Sequence, residues 1–349
     1  MVHIPCTTGT PAPAMSAMEG IARRIWCSAW TLLVLACLFW AGSIIIGRAV
    51  AGRVPPITLA YWRWTGAFIV AIGFAWPFLN RDWPVLRRHW GILMLLSATG
   101  IASYNTMIYI GLQYTTALNA LLLQSTMPVI ILLWAFVLFG ERAGLRQIVG
   151  VMLSLLGVAI VVSHGSLATL AHFFVGAGDA WILGGIVIYA LYPPLLRRGP
   201  VVHPLSLLVA VMGIGSLMML PFYVWEIAAG ATIRGGLASF AAMAYTAVLP
   251  SFIAFLFFNR GVELIGAGRA GQSAHLIPVL GMVLGMVLAV LFLGERFHMY
   301  HAVGAAAAAA GIFLASLRAG TAQRPLPNKA PTQSAELPPT RPVAHPVQC

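Results

Sequence analysis

An all-α integral membrane protein with ten transmembrane helices, arranged as two inverted five-helix repeats, is the fold class this sequence predicts. Three observations predict it. Of 349 residues, 60% are hydrophobic and only 8% are charged, whereas soluble domains carry roughly 45–50% apolar and about 25% charged residues. The apolar residues fall in ten runs, near 27–47, 57–78, 90–111, 117–139, 145–163, 180–196, 204–226, 236–259, 270–293 and 299–317, and a bilayer takes roughly 20 residues to cross as helix. Landmarks of the first five runs also recur in the last five at a nearly constant spacing.

The runs are continuous and lack the apolar/polar alternation of barrel strands, so they read as helices. No long loop separates them, which leaves no room for a soluble catalytic domain between spans. The first run follows Arg23-Arg24 and continues from Ile25 to Ile46, too long for the core of a cleaved signal peptide, and is read as the first membrane helix. Residues 1–25, with Pro5, Pro11 and Pro13, are expected to form a flexible cytoplasmic leader, with Met15 or Met18 as alternative starts. Residues 319–349 hold seven prolines among polar residues; such a composition cannot bury a core, so a disordered cytoplasmic tail is expected.

The formal net charge of +12 comes from 20 Lys and Arg against 8 Asp and Glu. Nucleic-acid binding is disfavoured, because a binder gathers its cations on one face and here they stand in ones to threes between apolar runs. With a cytoplasmic N-terminus, 15 cations fall inside, four outside, and Arg63 within a helix. The positive-inside rule therefore places both termini in the cytoplasm of a multi-pass inner-membrane protein. Cys6, Cys27, Cys37 and Cys349 show no metal-ligand or paired spacing, so no disulfide framework is expected.

The spacing signal is specific. Gly111 and Pro128 are matched by Gly261 and Pro278, 150 residues on; Gly140-Glu141-Arg142, Gly150 and Gly157 are matched by Gly294-Glu295-Arg296, Gly304 and Gly311, 154 on; Arg48 and Arg197 are 149 apart. The step of four coincides with Val279-Leu280-Gly281-Met282 followed by Val283-Leu284-Gly285-Met286, a duplication that adds about 1.1 helical turns. The repeats span 26–164 and 178–318. Each has five helices, an odd number, so they enter the membrane from opposite sides. Inverted repeats around a midplane site are an architecture of many secondary transporters.

These residues also carry a family resemblance. Trp40-Ala41-Gly42-Ser43, Pro55-Pro56 followed by Tyr61-Trp62-Arg63-Trp64, Pro128 leading to Leu138-Phe139-Gly140-Glu141-Arg142, and Leu291-Phe292-Leu293-Gly294-Glu295-Arg296 resemble the EamA branch of the drug/metabolite transporter superfamily over about residues 27–318. The resemblance implies a ten-helix exporter whose cavity is lined mainly by helices 1, 3, 4, 6, 8 and 9, with 5 and 10 peripheral. It implies export of small metabolites such as hydrophobic or aromatic amino acids. An uptake carrier of the same fold and a membrane-embedded enzyme acting on a lipid-linked substrate are the alternatives. The four-residue insertion in helix 9 departs from the family pattern.

Polar groups within spans are functional candidates, since leaving one unpaired in hydrocarbon is costly. Helix 4 offers Gln124 and Ser125, and helix 9 offers Gln272 and His275, with Ser125 and His275 each three residues before the helix-bending Pro128 and Pro278. A proline frees the carbonyl four residues back, here those of Gln124 and Ala274. Trp40 and Ser43 on helix 1, Tyr104, Asn105 and Tyr109 on helix 3, and Tyr189 and Tyr192 on helix 6 complete the set. Aromatic walls with a few hydrogen-bonding groups suit a partly apolar small-molecule substrate. Arg63 could meet a substrate carboxylate or snorkel to the outer surface; helix 2 is outside the implied cavity set, which favours the structural reading. Glu141-Arg142 and Glu295-Arg296 read as hairpin caps and interfacial anchors.

Glu295, His298 and His301 cannot converge on a metal, because positions i and i+6 of a helix point about 240° apart. Gly266 to Gly271 matches a dinucleotide fingerprint by letters only, with no strand before it. No cofactor is expected, and without a Walker motif ATP bound to this chain cannot drive transport. The glycines of helices 5 and 10 read as packing faces, with a homodimer contact through those helices as a further use.

Overall fold

A backbone N–H or C=O left unpaired in hydrocarbon costs several kcal/mol, and the apolar runs meet that constraint as helices. The computed structural model describes residues 25–140, 144–163, 165, 176–265 and 267–316, and no strand occurs among them. They form ten apolar helices in order. These are α1 Ala29–Ala49, α2 Pro56–Arg88, α3 Trp90–Gly111, α4 Ala117–Phe139, α5 Leu145–Val162, α6 Ala177–Leu196, α7 Pro204–Ala228, α8 Gly236–Leu264, α9 Ala267–Leu293 and α10 Met299–Ser316. Seven of them are long and apolar enough to cross a bilayer, and α5, α9 and α10 carry shorter apolar stretches. The expected leader and tail, apart from Ile25, lie outside the described residues, as do Glu141 and Arg142.

Two helices differ from expectation. The α2 helix runs ten residues beyond 78 and contains Pro77 and Pro84. Its apolar pattern stops there, but Asp82 accepts the His203 backbone N–H at 2.9 Å, and that bond ties the polar end of α2 to the start of α7. The α9 helix has 27 residues against 23 in α4, so the four-residue duplication is absorbed as added helix. Gly140 and Gly294 close the equivalent helices α4 and α9 with φ of 67° and 64°. A left-handed φ is strained for any residue with a Cβ, which accounts for glycine at the same point of both repeats.

Packing crosses between the two sets of five. Helix α1 lies against α8 and α9, and its counterpart α6 lies against α3 and α4; α2 pairs with α7, and α5 with α10. Each repeat thus completes its core with the first helix of the other, and the described residues form one compact unit. Carboxylates reinforce the exchange. Glu226 at the end of α7 accepts the N–H groups of Ile57 and Thr58 at 3.1 and 2.6 Å and the Thr58 hydroxyl at 2.8 Å. Glu295, just past α9, accepts the N–H groups of Ala117 and Leu118 at 2.8 and 2.9 Å. The sequence reading makes it a cap of its own hairpin; it caps α4 instead, because the helix N-terminus there presents unpaired N–H groups and a positive dipole end.

The α5–α10 contact consumes the glycine faces. A Cβ at Gly157 would lie 2.6 Å from the Gly304 carbonyl oxygen, and one at Gly311 would lie 2.5 Å from Gly150 O and Ser154 N. These glycines therefore serve packing between α5 and α10 within one chain. Gly311→Ala forces backbone apart and should lower stability by about 1–3 kcal/mol. Gly73→Ala, with nothing within 4 Å of the added methyl, should be neutral or better. Melting curves of the two purified variants in detergent check the contrast; equal melting temperatures would refute the close-packing account.

Candidate functional site

Seven residues past Pro56, α2 turns Arg63 into the protein. This places it about 10 Å along the helix, and it is only 7% exposed. The guanidinium Nε donates to Ser251 Oγ on α8 at 2.8 Å, and Nη1 donates to Tyr109 Oη on α3 at 2.8 Å and to Ser43 Oγ on α1. The Ser43 and Tyr109 oxygens are themselves 3.1 Å apart. The cation also lies 5.2 Å from the Trp64 ring centroid and 6.0 Å from that of Tyr109. Arg63 does not snorkel: hydroxyls from three other helices draw it inward.

Among the described residues no carboxylate pairs with Arg63. Burying an ion costs several kcal/mol after relaxation, and neutral dipoles and ring faces offset only part of it. A unit negative charge about 4 Å away at an effective dielectric of 20 would offset about 4 kcal/mol. Two other acids, both near helix ends, are engaged elsewhere, Asp179 accepting the Thr115 hydroxyl at 2.7 Å and Glu263 pairing with Arg260 at 2.9 Å.

Backbone irregularity shapes the site. A π-type turn spans Leu249–Ile253 in α8, and another spans Ala98–Ser103 at the equivalent place in α3. Such turns often mark functional positions. In α8 the turn presents Ser251, whose hydroxyl donates to Thr246 O at 2.8 Å while accepting from Arg63. It also exposes the Pro250 carbonyl, to which Trp40 Nε1 donates at 2.9 Å. Opposite, a Cβ at Gly42 would strike the Tyr245 hydroxyl, so the glycine is what admits that ring beside Ser43.

The expected residues fall into three groups whose side chains are described and a fourth outside the described side chains. Ser43 joins the Arg63 cluster directly, and Trp40 borders it through the carbonyl of Pro250 beside Ser251, packing edge-on against Phe255 at 5.7 Å. Tyr104, Tyr189 and Tyr192 form a ring series between α3 and α6, with centroids 4.5 and 5.8 Å apart, and Asn105 is buried on the same stretch of α3. Gln124 and Ser125 lie in a 3-10 turn, Gln124–Thr126, just before Pro128. There the freed Gln124 carbonyl is taken up by the Met127 N–H, and Ser125 donates to Leu122 O at 2.6 Å. The proline's orphan is therefore met locally. Gln272, His275 and Pro278 fall in the part of α9 whose side chains lie outside the described residues.

Tyr245 and Ser251 escape sequence reasoning, and Arg63 is under-weighted by it. The signal for Arg63 is plain, since it is the one charged residue in the run 57–78. Ser251 has none, because a π turn leaves the apolar pattern unbroken.

The profile of the EamA-like transporter family matches residues 28–163 and 176–317. Among similar proteins, the uncharacterized transporter YyaM of Bacillus subtilis (strain 168) is 24% identical, over 82% of this chain and 93% of its own. The probable terminal-alkyne amino-acid exporter of Streptantibioticus cattleyicolor is 27% identical over 85% and 95%. The uncharacterized inner membrane transporter YicL of Salmonella typhimurium is 25% identical over 64% and 72%. One crystal structure superposes with a TM-score of 0.53 at 20% identity, over 82% of this chain and 96% of that one, a likeness of fold alone.

Ser251→Ala removes the Nε acceptor and the bond to Thr246 O together. Leaving a buried charged donor unpaired costs about 1–3 kcal/mol, so the variant should melt well below the parent, whereas Ser251→Thr should largely restore it. Unchanged unfolding for the alanine variant would mean that Ser251 does not hold the guanidinium.

Proposed function

The chain belongs to the EamA-like transporter family and is a multi-pass membrane transporter of the drug/metabolite type; on that premise we propose that it exports small metabolites, hydrophobic or aromatic amino acids among them. Export runs across the inner membrane by alternating access of the two repeats, with both termini in the cytoplasm. The observation that carries this reading is the buried polar and aromatic cluster built jointly by α1, α2, α3 and α8, with hydroxyls from both repeats on one guanidinium. A site shared between repeats changes when the repeats rock, which is what coupling of binding to access requires.

Other features support it. The tyrosine series of α3 and α6 supplies an aromatic wall suited to a partly apolar solute. A relative named as an amino-acid exporter is 27% identical over most of both chains. The excess of cations in loops assigned to the cytoplasm supports the orientation. Reciprocal capping supports rocking: Glu226 and Glu295 hold the N-termini of α2 and α4 at one end, and Asp82 holds that of α7 at the other. In this orientation the two ends are opposite membrane faces, where alternate gates belong.

Counterflow in proteoliposomes tests the reading. Vesicles preloaded with unlabelled phenylalanine, leucine or methionine should take up the labelled amino acid transiently when they contain the protein, and protein-free vesicles should not. Cells lacking the gene should retain more of the amino acid after being fed phenylalanine-containing dipeptides. No exchange of any amino acid or amphipathic metabolite from a broad panel would end the proposal, and lower retention in the deletion strain would reverse the direction.

A further inference from the structure

We infer that Arg63 is the anchor for a carboxylate on the transported solute, so that the site selects monoanionic and zwitterionic ligands with an apolar body and rejects the corresponding amines and amides. This inference rests on the transporter reading above and gives its site a ligand chemistry.

The donor geometry points to it. A guanidinium has five N–H donors and no acceptor. Nε and Nη1 spend three of them on Ser251, Ser43 and Tyr109, and the two on Nη2 have no partner among the described residues. Nη2 belongs to both forks by which arginine grips a carboxylate, the Nη1/Nη2 end and the Nε/Nη2 side. A carboxylate engaging it displaces a hydroxyl from one flank and leaves the other flank in place.

Charge points the same way. The cation is 7% exposed and pairs with no acid among the described residues, so the ligand that gains most from this position is an anion. The repeat adds a second, independent observation. Offsets of 148 to 150 bring Arg63 onto Val211, Met212 and Gly213 in α7, and Val211 and Met212 are buried there. The duplicated half keeps no counterpart cation, so the cluster holds one fixed positive charge and recognises one anionic group. Trp40, Trp64, Tyr109 and Tyr245 line the surroundings with ring surface, which suits an apolar solute body.

Solute competition against wild-type protein tests this without relying on any variant's folding. In proteoliposome counterflow, phenylalanine and 3-phenylpropionate should compete for the site, and phenylalaninamide and phenethylamine should compete at least tenfold less well, equivalent to about 1.4 kcal/mol. Equal competition by the amide and the amine overturns the inference while leaving the transporter reading intact. Counterflow of labelled 3-phenylpropionate itself without amino-acid exchange sinks the amino-acid reading and supports the anchor. Arg63→Gln should lose the preference for acids, and Arg63→Lys should keep part of it, because charge survives where the fork does not. Should nothing be exchanged, transport by this chain falls, and the anchor is decided by tryptophan fluorescence in detergent. Saturable quenching by 3-phenylpropionate in the wild type but not in Arg63→Gln supports it, and no response in the wild type, or the same response in both, overturns it.

Discussion

Three carboxylates, each seated on the start of a helix from the other set of five, are the interaction on which the arrangement depends. A helix start carries N–H groups that its own backbone cannot satisfy and roughly half a positive charge. In an apolar surround such groups demand partners, and this chain has only eight acidic residues to supply them. Asp82, Glu226 and Glu295 are spent in this way. Arg48 does the converse service, donating from Nη1 to the Leu112 carbonyl at the close of α3 at 2.8 Å. Since each acid and the N-terminus it serves lie in different repeats, neither set satisfies its own ends alone. The crossed packing of α1 on α8 and α9, and of α6 on α3 and α4, reflects the same interdependence.

Much of the fold is legible in the chain because membrane helices write themselves as composition. The ten runs are each recovered as a helix, and even the duplication at Val279–Met286 appears as four added residues in α9. What the pattern leaves out is partnership over distance. Arg63 and Ser251 lie 188 residues apart, and nothing local to Ser251 announces that its hydroxyl faces a cation. Trp40, Ser43 and Tyr104 are legible as polar or aromatic breaks in apolar helices. Ser125 is legible as polar but not as satisfied, because its bond to Leu122 O depends on the tightened turn that Pro128 imposes.

The duplicated halves have diverged where charge is concerned. Backbone devices persist in both, as the glycine closures at 140 and 294 and the paired π turns attest. Side-chain chemistry does not: the arginine in α2 faces apolar residues at its counterpart positions in α7. Two buried cations near one axis would repel each other and double the desolvation cost. Symmetry of scaffold with asymmetry of charge gives a polar centre whose cost is met once.

The π turns set the phase of the helix beyond them. Each holds one residue more than an α turn, so the downstream half of α3 or α8 is rotated by about 100° from where an uninterrupted helix would leave it. Tyr104 and Tyr109 lie beyond the turn of α3, and both meet their partners only at that phase. The widened turns therefore act as the indexing of the site, in the sense that a gear tooth indexes a wheel: the aromatic faces of α3 are aimed by a backbone defect kept in both halves, and not by the side chains that do the aiming elsewhere.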